Sequence, residues 1–270
     1  MRAQNKTNKS NFFKKIFIKI CRYFDFEIID QGNLYLPVSN KRNNENLSEI
    51  GKKSLVLPMG RINIKRKIKS LDIILRTCSS VNMLTQSKKR IFKHSKAEYT
   101  LRTLNSIIDS LDNNKDLFKK IKTKLIIIDH NSEAKVINKF KKLLKNKFFK
   151  NEIINLDIEF YKKNIKNINK KGKKVTNNQI SNMSNINQSL NISKNCDDLV
   201  YLVEDDYIHK IDAIEEMIFA YERISTQLGK ELIMCPADYP YLYNKLQNTK
   251  VLLGNNYHWR SIDESLCTFL

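Results

Sequence analysis

Glycine is scarce: six occur in 270 residues, at Gly32, Gly51, Gly60, Gly172, Gly229 and Gly254. No two are spaced as GxGxxG or as GxxxxGKS/T, which excludes both glycine-rich phosphate cradles. Cysteine is sparse too. Cys21, Cys78, Cys196, Cys235 and Cys267 form no CxxC and are odd in number, which argues against a zinc ribbon, a thioredoxin motif and a disulfide framework. Free thiols suit a reducing compartment, so the expected location is the cytoplasm. Long apolar runs are missing. Leu199–Val203 is typical of the longest, far below the ~20 residues of a membrane-spanning helix. The N-terminus has no apolar core followed by a small-residue cleavage site, so no secretory signal is expected.

What is abundant is positive charge. There are 49 Lys/Arg against 28 Asp/Glu, net +21, with 41% hydrophobic and 29% charged residues, a composition compatible with a folded core. The charge is uneven. Residues 115–174 hold 19 Lys/Arg against 6 Asp/Glu, whereas residues 175–270 hold 7 against 13. A strongly basic chain invites a nucleic-acid partner. Here, however, the cations are plain Lys among Asn and Ile rather than Arg interleaved with aromatics, and a coding bias accounts for them; nucleic acid is the disfavoured partner. An acidic final third in a basic protein points instead to a cation site.

Two regions are expected, a basic arm over residues 1–70 and a domain over 71–270. In the arm, Phe12, Phe13, Ile16, Phe17, Ile20, Tyr23 and Phe24 share one arc of a helix over 11–24, and Lys14, Lys15, Lys19 and Arg22 share the other. Such a helix either lies on an anionic membrane surface, the inner face for a cytoplasmic protein, or docks on the domain with its basic side solvated. A hairpin is expected over Phe26–Leu36 and one more strand within Ser54–Ile68. From residue 71, apolar strands alternate with helical periods. Strands are expected at Leu71–Leu75, Lys124–Ile128, Ile153–Ile158, Leu199–Val203 and Glu231–Cys235. Helices are expected at Glu98–Leu111, from Ala134 to Leu144, at Asn178–Ser193 (polar, with Ile180, Met183, Asn187 and Leu190 on one side) and at Ile211–Leu228. Residues 162–178 read as a Lys/Asn-rich loop. The alternation predicts an α/β domain with a mostly parallel central sheet flanked by helices.

Ligands bind such sheets off the carboxyl ends of the strands. Three predicted strands end in polar clusters: Arg76-Thr77, Asp129 to Ser132, and Glu204-Asp205-Asp206. All three are expected at one edge. Strand alternation puts Glu204 and Asp206 on one side and Asp205 on the other. Two carboxylates on one side suit Mg²⁺ or Mn²⁺, hard ions that keep waters and take phosphate oxygens. The alternative is an acidic turn favouring the N-terminus of the next helix.

Leu71–Thr77, Lys124–Ser132 and Val200–Asp206, with the polar helix Asn178–Ser193 before the last, together resemble nucleotide-sugar glycosyltransferases of the GT-A fold, most nearly the family-2 enzymes. The resemblance covers roughly residues 71–243. It implies a Rossmann-like GT-A domain that moves a sugar from a nucleotide diphosphate sugar to a sugar or glycan acceptor, with inversion, using Mn²⁺ or Mg²⁺. Arg76 and Thr77 would contact the nucleotide. Asp129 would accept a hydrogen bond from the base, with Asn131 and Ser132 shaping the turn. Glu204 would approach the ribose or a metal-bound water, Asp205 the donor, and Asp206 would bind the metal. Glu204-Asp205-Asp206 is an acidic variant of the family's DxD, not a literal one. Bland roles stand beside these: a turn-forming Asp129, an Arg76 in a surface ion pair.

An inverting transferase also needs a carboxylate base. Asp238, Asp263 and Glu264 are the candidates, each of which could serve structure alone. His258 could add a metal ligand, and Tyr239, Tyr241, Tyr243 and Trp259 an apolar acceptor wall. The apolar end Leu266–Leu270 suggests a domain that is cut short or completed by another element. Two rival functions remain: a non-enzymatic protein binding nucleic acid or anionic surfaces, and a nucleotidyltransferase, whose usual glycine-rich loop is missing.

Overall fold

The computed structural model describes residues 12–24, 26, 63–80, 94–168, 172–239, 242–243, 249–263 and 268–270. These form helix α1 (Phe12–Tyr23), strand β1 (Ser70–Thr77), α2 (Lys96–Asn113), α3 (Lys115–Lys120), β2 (Lys122–Asp129), α4 (Ala134–Leu144), β3 (Lys150–Asn155), α5 (Ile158–Tyr161), α6 (Asn177–Ser193), β4 (Leu199–Glu204), α7 (Ala213–Leu228) and two short strands, β5 (Val251–Leu253) and β6 (His258–Arg260). The chain divides into two compact units: Gly60–Pro236, Leu253–His258 and Ser265–Leu270 in the larger, Met1–Met59, Ala237–Leu252 and Trp259–Glu264 in the smaller.

The larger unit is an α/β domain. Its four-stranded sheet is wholly parallel, in the order β3-β2-β1-β4. The sequence dictates this. Leu71, Ile73, Ile74 and Leu75 of β1 and Leu125, Ile126, Ile127 and Ile128 of β2 are essentially inaccessible, as central parallel strands covered on both faces must be. Side chains alternate between the faces. Ile74, Ile126, Ile128 and Leu202 pack on one side with Leu156 and Ile192. Tyr201, on the other side, bonds His209, which in turn bonds Ser106 of α2. Helix α2 packs against α4 and α7, burying Leu104, Ile107 and Leu111. Helix starts are set by side-chain caps: the Ser95 hydroxyl accepts from the Glu98 amide, and Thr176 with Gln179 makes a reciprocal capping box. Helix α7 ends at Gly229, whose φ of 62° is left-handed and suits a residue without Cβ.

Several expectations shift. The third strand runs three residues earlier, because Asp157 caps the short helix α5 by accepting from the Phe160 amide. Helix α7 begins at Ala213, so Ile211 is exposed. Glu231–Cys235 is not a strand. Among the described residues only Met234 pairs there, exchanging two backbone hydrogen bonds with Leu270, while Phe269 does the same, antiparallel, with Leu202 on the outer edge of β4. Phe269 thus covers part of that edge. The apolar side of α6 is not the buried one. Met183 and Leu190 are exposed, whereas Ser181, Ser184, Asn185, Gln188 and Ser189 are buried. The expected hairpin and most of the segment 54–68 lie outside the described residues. Residues 63–69 form no strand, but Arg66 anchors them in the larger unit through Asp198 at 2.5 Å and Glu231 at 2.8 Å.

In the smaller unit Phe12–Tyr23 form the helix α1. Among the described residues no helix is long and apolar enough to cross a membrane.

Candidate functional site

The strand order reverses between β1 and β4. From β1 the chain proceeds outward to β2 and β3, then returns to β1's other side. At such a switch point the connections leave in opposite directions and open a crevice at the carboxyl ends. The register places the three polar strand ends together there: Arg76 pairs with Glu204 and Thr77 with Asp129.

The β2 end is closed by its own hydrogen bonds. Asp129 is 4% exposed. One of its oxygens accepts from the Thr77 hydroxyl at 2.7 Å and the other from the Ser132 amide at 2.9 Å. Asn131 sits at φ 57°, a left-handed conformation that Asn tolerates well, and Ser132 Oγ accepts from the Ser79 amide at 3.0 Å. Asp129 therefore ties the turn, with each of its oxygens already accepting one hydrogen bond. His130 lies 2.6 Å from Ser181 Oγ and 3.9 Å from Cys78 Sγ through Nδ1; burial pushes its imidazole below the usual range.

The β4 end is held by cations. Arg76, 6% exposed, donates to Glu204 at 3.0 Å and reaches Asn182 of α6 at 3.5 Å. Asp205 is also buried. It pairs with Lys96 at the start of α2, accepts from Thr100 at 2.9 Å and from the Cys78 amide at 3.3 Å. Asp206 alone is exposed. Asp205 turns in toward α2; the strand itself ends at Glu204, and Asp205 and Asp206 lie in the turn that follows. Burial raises both Glu204 and Asp205 above the ordinary carboxylate range, with Arg76 and Lys96 opposing the shift. Burial likewise raises the Cys78 thiol, helped by Asp205 and Asp129, so Cys78 is no activated nucleophile.

Asp129, Glu204, Asp205 and Asp206 set four carboxylates against Arg76 and Lys96. With every acid ionised, these six residues carry −2 in a chain of net +21. Among the described residues no group of three or more His, Cys, Asp or Glu is arranged to hold a metal, so Glu204, Asp206 and His258 do not form a preformed cage. Mg²⁺ and Mn²⁺ need less, since one or two carboxylates suffice when waters and phosphate oxygens complete the sphere. Asp206, with Glu204 beside it, fits that requirement. His258 is exposed in β6.

The candidate bases lie in the smaller unit. Asp238 bonds Tyr243 and pairs with Arg260 at 2.7 Å, and Arg260 stacks on the Tyr243 ring at 4.4 Å. Partial burial would raise its carboxyl, but the hydrogen bonds from Arg260 and Tyr243 hold it below the ordinary range, which makes it a weak base. Asp263 is exposed. Glu264 and Tyr241 fall outside the described residues.

Four residues of the edge were not anticipated: Lys96, Thr100, Ser181 and Asn182. Lys96 and Thr100 are spaced i, i+4 and so share a helix face, a signal visible in the sequence once Ser95 is taken as the cap. The buried polar side of α6 has a physical purpose. Asn185 donates to the Ile128 carbonyl and Gln188 to the Asn155 carbonyl, giving backbone groups at the strand ends side-chain partners.

No protein-family profile, no curated protein and no solved structure matches this chain.

Proposed function

We propose that the protein is a metal-dependent glycosyltransferase of the GT-A, Rossmann-like type, transferring a sugar from a nucleotide diphosphate donor to a hydroxyl acceptor with inversion. One observation carries this: the negative Glu204–Asp206 end of β4 stands in register beside Arg76, at the switch point of a parallel sheet. Asp206 and Glu204 would hold Mn²⁺ or Mg²⁺. The ion would supply positive charge to the diphosphate as it leaves. Arg76 offers guanidinium donors to a phosphate oxygen while keeping Glu204 oriented. Lys96 and Thr100 fix Asp205, and with it the backbone that presents Asp206. Thr77, Asp129 and Ser132 hold the floor on which the nucleotide would rest. In the reaction the acceptor oxygen bonds the anomeric carbon, the bond from that carbon to the diphosphate oxygen breaks, and the acceptor proton passes to a carboxylate base. Asp238 is poorly suited to that last task; Asp263 and Glu264 remain its candidates.

The test is a thermal-shift screen of nucleotide diphosphate sugars with and without Mn²⁺, followed by donor hydrolysis or transfer. Metal-dependent stabilisation is expected, and loss of turnover in Asp206→Ala. Unchanged turnover in that variant refutes the assignment. A second reading, non-enzymatic polyanion binding, draws on a hollow of roughly 300 Å³ lined by Lys115, Lys119, Lys145 and Lys147, of which Lys115 and Lys147 also pair with Asp112 in the same lining. Steeply salt-dependent binding to any DNA or RNA, with no donor binding, would favour it.

A further inference from the structure

Helix α1 stands apart from the candidate site in chemistry. Its sequence FFKKIFIKICRY has no carboxylate. At 100° per residue, positions 12, 13, 16, 17, 20, 23 and 24 fall within one arc of about 140°, and all are aromatic or Ile. Positions 14, 15, 19 and 22, all Lys or Arg, fill the opposite arc, with Ile18 the exception. On the apolar arc Phe17 is 58% exposed, Ile20 50%, Tyr23 82% and Phe24 64%. Phe26, just beyond the helix, is 70% exposed. Large apolar side chains contiguous in one exposed patch mark an interaction surface rather than ordinary scatter.

We infer that α1 is an in-plane anchor for an anionic lipid surface. The apolar arc would enter the boundary between headgroups and acyl chains while the basic arc neutralises the headgroups. Twelve residues span about 18 Å, so the helix lies on a bilayer and does not cross it. A second copy of the chain is the poorer occupant: two such helices bring eight cations together with no acid between them to pair. An anionic surface supplies the missing charge. The inference rests on the helix alone and stands or falls apart from the transferase assignment.

The test is co-sedimentation of the full chain with vesicles of phosphatidylglycerol or of phosphatidylcholine. Binding to the anionic vesicles only is expected. Because a +21 chain adsorbs to any anionic surface, the decisive variant keeps the charge: Phe17→Ser with Ile20→Ser should weaken partitioning at least about 100-fold, with an unchanged melting temperature because both side chains are exposed. Lys14→Gln, Lys15→Gln and Lys19→Gln together should weaken it by about five-fold per charge. In a Phe17→Trp chain, corrected for the one native Trp259, emission should shift to the blue with anionic vesicles. Unimpaired binding by the double serine variant overturns the inference, as does equal binding to neutral vesicles, an unmoved emission, or self-association that the same variant abolishes in the absence of vesicle binding.

Discussion

The ends of β2 and β4 bring carboxylates to the same edge of one sheet but neutralise them differently. At β2, Asp129 is satisfied by uncharged donors, the Thr77 hydroxyl and the Ser132 amide. At β4, Glu204 and Asp205 are answered by cations from other elements, Arg76 and Lys96, and Asp206 is left exposed. A carboxylate held by local amides and hydroxyls makes a turn. Carboxylates answered by long-range cations, with charge to spare, make an electrostatic site. On the proposed reading, β4 is the chemical end of the edge and β2 its scaffold.

Breaking the Lys96–Asp205 pair should have the largest effect. Asp205→Ala leaves an ammonium in a nearly closed space and is expected to cost about 3–5 kcal/mol in urea unfolding. Removing both charges, as Lys96→Met with Asp205→Leu, should recover most of that loss. A double variant as unstable as the single one would show that the cost came from packing and not from an orphaned charge.

Next in size is a pH effect just beyond β4. His209 is held at about 4, below its ordinary value of 6.5, by burial. It is gripped by Tyr201 at 2.8 Å and Ser106 at 3.2 Å. A depressed imidazole favours the neutral form in the folded state, so between pH 6.5 and 4 the unfolded chain binds the extra proton. Stability is therefore full above 6.5 and falls as pH drops through that window, by roughly 3 kcal/mol in total. His209→Gln should flatten the limb between pH 6.5 and 5 relative to the native protein. Parallel curves for the two would remove His209 from the account.

The β2 end should respond less. Asp129→Ala removes two hydrogen bonds to a carboxylate and is expected to cost about 2 kcal/mol. Thr77→Val should account for part of it, non-additively, because the two share a bond. Full additivity would deny the coupling across β1 and β2.

Much of this contrast was legible in the residues. Runs such as Ile73–Leu75 and Leu125–Ile128 have no polar alternation, so burial on both faces and parallel pairing follow from composition alone. Given parallel strands, the meeting of Arg76, Asp129 and Glu204 follows from where each run stops. The partners of those acids did not follow, because Lys96 is one of 49 basic residues and nothing in its local sequence says that it folds inward. Helix α6 was legible as a helix but not in its orientation. Period analysis scores apolar side chains, and here the buried side is Ser, Asn and Gln, of which Asn185 and Gln188 bond strand-end carbonyls. The strand expected at Glu231–Cys235 failed for another reason: the run is apolar, but Ile233 is 69% exposed and, among the described residues, only Met234 finds a backbone partner.

Asp206 gives the smallest expected effect on stability and the sharpest separation. It is the exposed member of the acidic run, so Asp206→Ala should change unfolding free energy by less than about 0.5 kcal/mol. Asp205→Ala, one residue away, should change it about tenfold more. If the run were only an acidic turn favouring the start of α7, Asp206 would contribute through that dipole alone, and its loss would leave metal-dependent donor stabilisation unchanged. If it holds the cation, Mn²⁺-dependent stabilisation by a nucleotide diphosphate sugar should vanish in a protein whose own stability is intact. Measuring the two quantities on one variant separates the roles, because a turn residue moves the first and a cation ligand moves the second.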